Sequence, residues 1–276
     1  MDEIIENAIR AEGIEYFAPI PLSDCEIKRA YLLERAGISD GDGTAIMLVM
    51  PYCAFFPTKR NISLYATPRD YHIFFKEFSA RVTKKLAEAF PNNKFAGFAD
   101  HSPIAEIKAA AEAGLGIIGK NGLLITEKYS SLVFIGEIIT DMKIECRAGE
   151  IKHCEDCGAC LRACPGFKDG KFEFCLSEIS QRKGELTADE LKMLRENGTA
   201  WGCDICQLAC PHTKRAIKEG HFTKIKFFRG NLTPFLTSSG VKNMTDAEFA
   251  ERAYSWRGRA VITRNLENLE KKPTEK

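Results

Sequence analysis

The sequence predicts an α/β fold: an N-terminal domain of helices around a mixed sheet over residues 1–145, then a small cysteine-rich domain over 146–215. Two observations lead there. Strand-length apolar runs alternate with helical ones in the first half, and from Cys146 that periodicity gives way to closely spaced Cys and Gly, as expected where metal replaces a hydrophobic core. Residues 216–276 read as a basic extension packing on the other two parts. With 276 residues, 45% of them hydrophobic, the chain has apolar surface enough for a core.

The elements follow in order. Ser23 and Glu26 have capping-box spacing and start a helix expected to end at Gly37. Ala45 to Met50 is an unbroken apolar run of strand length, closed by Pro51. Thr67 and Asp70 open a long helix, in which Tyr71, Phe74, Phe75, Phe78, Val82, Leu86 and Phe90 keep helical spacing. Lys94 to Ala99 reads as a strand. Ser102 and Pro103 then have the N-cap and N1 chemistry of a helix start. Leu123 to Thr126 and Leu132 to Thr140 are two more strands. Thr187 with Glu190 caps a helix inside the cysteine-rich part, Thr245-Asp246 starts another, and the last half-dozen residues are expected to fray.

Gly114-Leu115-Gly116-Ile117-Ile118-Gly119 fits the dinucleotide fingerprint, and Gly114 to Lys120 fits most of a phosphate loop. Both need a strand entering and a helix leaving. Here the order is reversed, and Asn121 stands where a phosphate loop has Ser or Thr. The segment reads instead as a glycine-terminated helix turning into a strand.

The net charge of +1 excludes a general electrostatic attraction to nucleic acid, but the balance is uneven. From Pro211 onward there are 14 Lys and Arg against 7 Asp and Glu. Within that stretch, Arg257, Arg259 and Arg264 are candidates for phosphate contacts; a solvated basic face is the alternative. No apolar run approaches the roughly 20 residues that span a bilayer, and the acidic, amphipathic start MDEIIENAIRAEG is unlike a secretory signal. A cytoplasmic location is expected, where eleven cysteines point to metal rather than to disulfides.

The spacing Cys154-x2-Cys157-x2-Cys160-x3-Cys164-Pro165 is the bacterial ferredoxin run, in which three cysteines hold one [4Fe–4S] cluster and the fourth reaches across to another. Cys203-x2-Cys206-x3-Cys210-Pro211 follows, with Cys175 between. In a two-cluster ferredoxin arrangement, cluster one takes Cys154, Cys157, Cys160 and Cys210, and cluster two takes Cys164, Cys175, Cys203 and Cys206. Two tetrahedral zinc sites could use the same eight thiolates, although the run is far more typical of iron–sulfur. Cys25, Cys53 and Cys146 are left over, and Cys25 reads as buried packing within the first predicted helix.

An ordered series of motifs resembles the epoxyqueuosine reductase family, the cobalamin-dependent iron–sulfur enzymes of tRNA queuosine synthesis. It comprises Ser63-Leu64-Tyr65-Ala66, Asp70-Tyr71-His72, Asp100-x-x-Pro103-x-x-Glu106, Gly114-Leu115-Gly116 through Gly119-Lys120-Asn121, Gly136-Glu137 with Thr140-Asp141, both cysteine sets with Gly202-Cys203-Asp204-Ile205-Cys206-Gln207, Ala247-Glu248-Phe249 and Arg264-Asn265-Leu266. Three departures bear on the tRNA rather than on the redox chemistry. The sequence stops about where longer members continue into a helical-repeat domain that helps hold tRNA. The stretch between Cys164 and Cys175 is shortened, and His212-Thr213 replaces a tryptophan-containing segment.

The resemblance implies a cobalamin bound in the N-terminal domain and two [4Fe–4S] clusters that supply it with electrons from an external flavodoxin- or ferredoxin-type donor. The substrate is then epoxyqueuosine in tRNA, whose epoxide is reduced to the alkene of queuosine. Asp100 matches the family's acid. It would have to be buried to stay protonated at neutral pH, and its alternative role is to cap the Ser102-Pro103 helix start. Ser63, Tyr65, Lys120 and Asn121, with Tyr52 beside them, are candidates for contacts to the corrin. Ser177 and Asp204, close to Cys175 and Cys203, are candidates for the place where cluster two meets it. His72 is assigned no metal role. The competing readings keep the cofactors on another substrate, as in the reductive dehalogenases, or make the chain a non-catalytic electron carrier, against which stands its large α/β domain.

Overall fold

The structure is a computed structural model that describes residues 1–39 and 41–271; the expected fraying falls almost wholly outside the described residues. The N-terminal part contains α1 (Glu3–Arg10), β1 (Tyr16–Pro21), α2 (Ala30–Ala36), β2 (Thr44–Pro51), α3 (Tyr71–Ala89), β3 (Phe95–Phe98), α4 (Glu106–Glu112), the short pair β4 (Ile117–Ile118) and β5 (Leu124–Ile125), and β6 (Val133–Thr140). Four strands form one sheet in the order β1-β2-β6-β3. The α/β class stands, but the mixed sheet expected from alternating strands and helices does not: all three pairings are antiparallel. A parallel neighbour arises when a crossover returns the chain beside its previous strand in the same sense. Here β3 instead takes the far edge of the sheet, next to β6.

Ile46, Leu48, Met50 and Ile138 face a layer containing Ile5 and Ile9 of α1 and Phe74, Phe75, Phe78 and Val82 of α3. Ala45, Met47, Val49 and Ile139 face the opposite layer, with Leu33 of α2 and Ala109 to Ala111 of α4. With both faces covered, β2 has no solvent side, and its apolar run is continuous for that reason. Gly136 of β6 permits the closest approach of α3, because a Cβ there would lie 2.5 Å from the Phe75 ring.

Two helix starts fall later than expected. Residues Leu22–Asp24 form a single 3-10 turn, and α2 begins at Ala30 without a side-chain cap. Between them the chain is tied to the neighbouring loop, with Ile27 bridged to Ile104 and the N–H groups of Lys28 and Arg29 donating to the Pro103 carbonyl. This tertiary pairing overrides the local capping signal. Cys25 is buried in the core as expected, but just after that turn rather than in a helix. Likewise α4 starts at Glu106 with Ala105 as N-cap, because Ser102 turns its hydroxyl toward Glu137. At the end of α4, Gly114 adopts φ +80° and the chain enters β4, the helix-to-strand order that disqualifies the nucleotide motifs.

The cysteine-rich part contains α5 (Ala159–Ala163), the hairpin β7 (Phe167–Lys168) and β8 (Lys171–Phe172), α6 (Leu176–Gln181), α7 (Ala188–Glu196), α8 (Ile205–Ala209) and α9 (Pro211–Lys218). Thr187 and Glu190 form the expected capping box on α7. The last part holds α10 (Ser238–Asn243), α11 (Asp246–Ala250), capped by Thr245 with Glu248, and α12 (Arg259–Glu270). Its apolar residues Val241, Phe249, Tyr254, Ile262 and Leu266 share a core with Ile62, Ala66 and Trp201, so it packs on both preceding parts. No helix among the described residues is long and apolar enough to cross a membrane.

Candidate functional site

The two cysteine sets meet where α5 and α8 pack together. Cys154, Cys157, Cys160 and Cys210 line one pocket, with Lys120, Asn121, Pro211 and His212 around them. Local backbone holds them there. Cys154 N donates to Ile118 O at 3.1 Å, Lys120 N donates to Cys154 Sγ at 3.3 Å, and Gly158 at φ +69° starts the helix that carries Cys160. Cys210 comes from the other run, at the junction of α8 and α9. Of the other four, Cys175 lies close enough to both Cys203 and Cys206 to raise their pKa values electrostatically, and Cys164 and Cys160 do the same to Cys206. Burial pushes the Cys203 thiol up to about 12 and the thiols of Cys160 and Cys206 above their ordinary value. Free thiolates are disfavoured in such a place, and a metal centre that displaces the protons suits this donor set. No three His, Cys, Asp or Glu side chains among the described residues are placed to hold a single metal ion.

A cavity of about 690 Å³ opens beside Asp100, lined by Tyr65, Asp70, Tyr71, His72, Phe134, Gln181, Ala253 and Trp256. Its volume is in the range of small-molecule sites. The wall is aromatic: Tyr71 stacks on Phe134 at 4.1 Å between centroids, and Tyr65 meets the same ring edge-on at 6.4 Å. Asp70 caps α3 through His72 N, and its carboxylate also holds His72 Nδ1 at 2.8 Å. His72 Nε2 then lies 3.6 Å from Asp100 Oδ2, an ion-pair separation. Asp100 and Asp70 together raise the imidazole pKa to about 9, and the same pairing lowers the Asp100 carboxyl.

Asp100 differs from the expectation in two respects. Its side chain is 72% exposed rather than buried, and its φ of +63° is left-handed, a conformation Asp tolerates at a cost. In the free chain at neutral pH the proton of this pair therefore resides on His72. Nor does Asp100 cap α4, whose N-cap is Ala105.

Of the other predicted contacts, Tyr65 alone lines this cavity. Ser63 donates its hydroxyl to Asp204, which also accepts from Arg60 Nη1 at 2.7 Å and Leu64 N at 2.8 Å. Both residues are buried and tie residues 60–64 to the second cysteine loop. Tyr52 is buried with its hydroxyl toward Gln207 at 3.4 Å. Lys120 pairs with Asp156 at 3.0 Å and, with Asn121, belongs to the Cys154 pocket. Ser177 reaches the cavity through Gln181, whose Nε2 donates to the Ser177 hydroxyl at 3.0 Å. The two regions touch at Gly202, next to Cys203, where a Cβ would fall 2.9 Å from Tyr65 Cε1.

Sequence reasoning missed Gln181 and Trp256 and gave His72 no part, although Asp70-Tyr71-His72 was among its motifs. Of the arginines, Arg264 donates to the carbonyls of Arg182 and Gly184, and Arg259 to that of Val241 and to Asp246. Only Arg257 keeps to the cavity's edge, 3.8 Å over the Trp256 ring.

No family model matches the chain. Among curated relatives, the epoxyqueuosine reductase of Gloeobacter violaceus is 32% identical over 70% of this chain and 62% of its own length. That of Listeria monocytogenes is 32% identical over 71% and 53%, and that of Synechocystis sp. 30% identical over 71% and 69%. The matched part thus spans a little over half to two thirds of these relatives. Among solved structures, epoxyqueuosine reductase from Streptococcus thermophilus aligns with 96% of this chain and 79% of its own, at a TM-score of 0.77 and 24% identity. An epoxyqueuosine reductase with a tRNA-Tyr epoxyqueuosine-modified stem loop aligns with 97% and 80%, at 0.77 and 20%. The fold is therefore that of these reductases. With the identity and coverage of the Synechocystis relative, the chain belongs to the epoxyqueuosine reductase family.

Proposed function

We propose that this chain is a cytoplasmic oxidoreductase that reduces the epoxide of epoxyqueuosine in tRNA to the alkene of queuosine, using cobalamin and two [4Fe–4S] clusters fed by an external flavodoxin- or ferredoxin-type donor. The observation that carries the reading is the meeting of two regions at Gly202: a thiol-rich pair of loops on one side and a cavity holding Asp100 and His72 on the other. The domain assignment follows, with residues 1–145 forming most of the cavity, 146–215 the cluster loops, and 216–276 contributing Ala253 and Trp256 to the rim.

The overall change consumes two electrons and two protons and releases water. When bound in the cysteine loops and the cavity, the clusters would supply single electrons and the cobalamin the reducing chemistry at the substrate. The chain's own residues do the rest. Tyr65, Tyr71, Phe134 and Trp256 offer flat apolar surface to a macrocycle, while Gln181 and Asp70 offer polar partners for its amides. His72 holds a proton at Nε2, facing Asp100. Covering Asp100 with substrate removes water from both groups, which disfavours the charged pair and moves the proton to the carboxyl, where it can serve the departing oxygen. The relative solved with an epoxyqueuosine-modified stem loop supports the tRNA substrate, and Arg257 with Trp256 stands at the rim where RNA would enter.

Anaerobic reconstitution with iron, sulfide and cobalamin tests the proposal. About eight iron and eight sulfide per chain are expected, with a cobalamin spectrum and turnover of a modified stem loop. Zinc without sulfide would overturn the cluster assignment. Clusters without cobalamin binding would leave an electron carrier. Turnover of the free nucleoside with no RNA affinity at low salt would remove tRNA as partner.

A further inference from the structure

Glu137 is the odd residue of the central strand. It is the one charged residue of β6, its cross-strand neighbours are Met47 and Phe98, and it is completely buried. One carboxyl oxygen accepts from Ser102 Oγ at 2.5 Å; the other, Oε2, has no partner. Among the described residues neither Glu137 nor its neighbour Glu106 is in an ion pair, although a buried carboxylate ordinarily needs one. The nearby acid is Glu106 of α4, within hydrogen-bonding reach. Two carboxyl groups can bond only through a proton, so a shared proton supplies the partner that Oε2 lacks.

Glu106 has a second contact. Its Oε1 accepts the backbone N–H of Asp100 at 3.0 Å, the residue held at φ +63°. We propose that Glu106 and Glu137 share one proton, and that Glu106, through the Asp100 N–H, positions the loop that aims Asp100 into the cavity. The proposal rests on the reading of Asp100 as the acid of the site; Glu106 is a positioning residue and touches no substrate. A solved epoxyqueuosine reductase has been captured with its catalytic loop swung out of the active site, so a loop in this fold can take two positions.

The pair responds to pH. Burial raises Glu106 to about 7 and Glu137 well above its ordinary value, each raised further by a neighbouring carboxylate. The groups facing Glu106 are Arg29 ahead of α2, Asp100 in the loop, Tyr71 of α3 and Glu137 of β6, while Lys28 and Lys108 share its outer groove. An ionised carboxylate accepts an N–H more strongly than a neutral acid. The grip on Asp100 is therefore full above about pH 7 and slackens as pH falls through that value.

Amide hydrogen exchange of the Asp100 segment, measured on the full chain without turnover, tests this independently of the proposed reaction. Wild type is expected to lose protection at Asp100 as pH is lowered through about 7, after correction for intrinsic exchange. Glu106→Ala should lose it at every pH, and Glu106→Gln should keep an acceptor and show no pH step. Glu137→Leu removes the acid O–H that hydrogen-bonds Glu106 and holds its pKa down against burial, and should move the step up from about 7. An unmoved step in that variant, or wild-type protection in Glu106→Ala, overturns the proposal. Should Glu137→Leu not fold, infrared difference spectroscopy of wild type gives the same reading: an acid carbonyl band above about pH 7 is expected, and its absence overturns the shared proton.

Discussion

All eight residues of β2 are buried, whereas across Cys154 to Pro165 Cys160 alone is. The sheet is packed from both sides by phenylalanines and aliphatic residues of four helices. The cysteine-rich part has a small apolar cluster of Leu176, Ile179, Leu186 and Leu194, and its helices α5 and α8 are each five residues long. Helices that short are not stable by propensity. The contrast teaches that one region takes its order from burying apolar surface, and that the other needs something else to hold its loops.

The largest expected effect separates the two directly. Stripping bound metal with a chelator under anaerobic conditions should abolish amide protection across residues 154–210, as in small domains whose metal binding energy is their folding energy. Protection in β2 and β6 should persist. Loss in both regions together would show that the sheet also depends on the metal.

Phe78→Ala is the converse experiment. Phe78 is fully buried against Phe74 and Phe75, and its loss is expected to cost about 3–5 kcal/mol by chemical denaturation. Iron content of the variant that remains folded should match wild type. A chemical rather than structural change at their junction comes next. Asp100→Asn keeps size and hydrogen bonding but cannot readily deliver a proton, so turnover should fall roughly 10²–10⁴-fold with cofactor content unchanged. Failure to bind cobalamin would make Asp100 a binding residue first.

The smallest effect concerns His72. Asp100 first and Asp70 second raise its pKa to about 9 in the folded chain, from an ordinary value of about 6.5. A group raised on folding stabilises fully below its unfolded pKa and loses that contribution as pH rises through the folded one. Stability should therefore decline modestly between about pH 6.5 and 9, and His72→Gln should flatten that slope. The side chain is half exposed, so the effect is screened.

The same contrast decides what could be read without coordinates. The continuous run Ala45–Met50 and the spacing of Tyr71 through Leu86 gave β2 and α3 nearly to the residue, because burial on both faces of a strand and on one stripe of a helix leaves a periodic record. The first predicted helix start failed because Ile27 pairs with Ile104, a contact seventy-odd residues away that has no local signature. Cysteine spacing pointed to Cys210 beside Cys154, Cys157 and Cys160 as one ligand set, and the four line one pocket. The cavity wall was less legible. Gln181 and Trp256 reach it from α6 and from the turn before α12, and nothing in either segment announces the other.

The bare backbone at Gly202 has a consequence for rate rather than for packing. Its φ of +67° and the side chains of Ser63 and Tyr65 above it leave no room for even a methyl group. If electrons cross from the Cys203 loop to the cavity, they tunnel through this contact, and tunnelling falls off exponentially with the gap. A single added carbon, by wedging the loop outward, would then throttle the current between two otherwise intact redox centres.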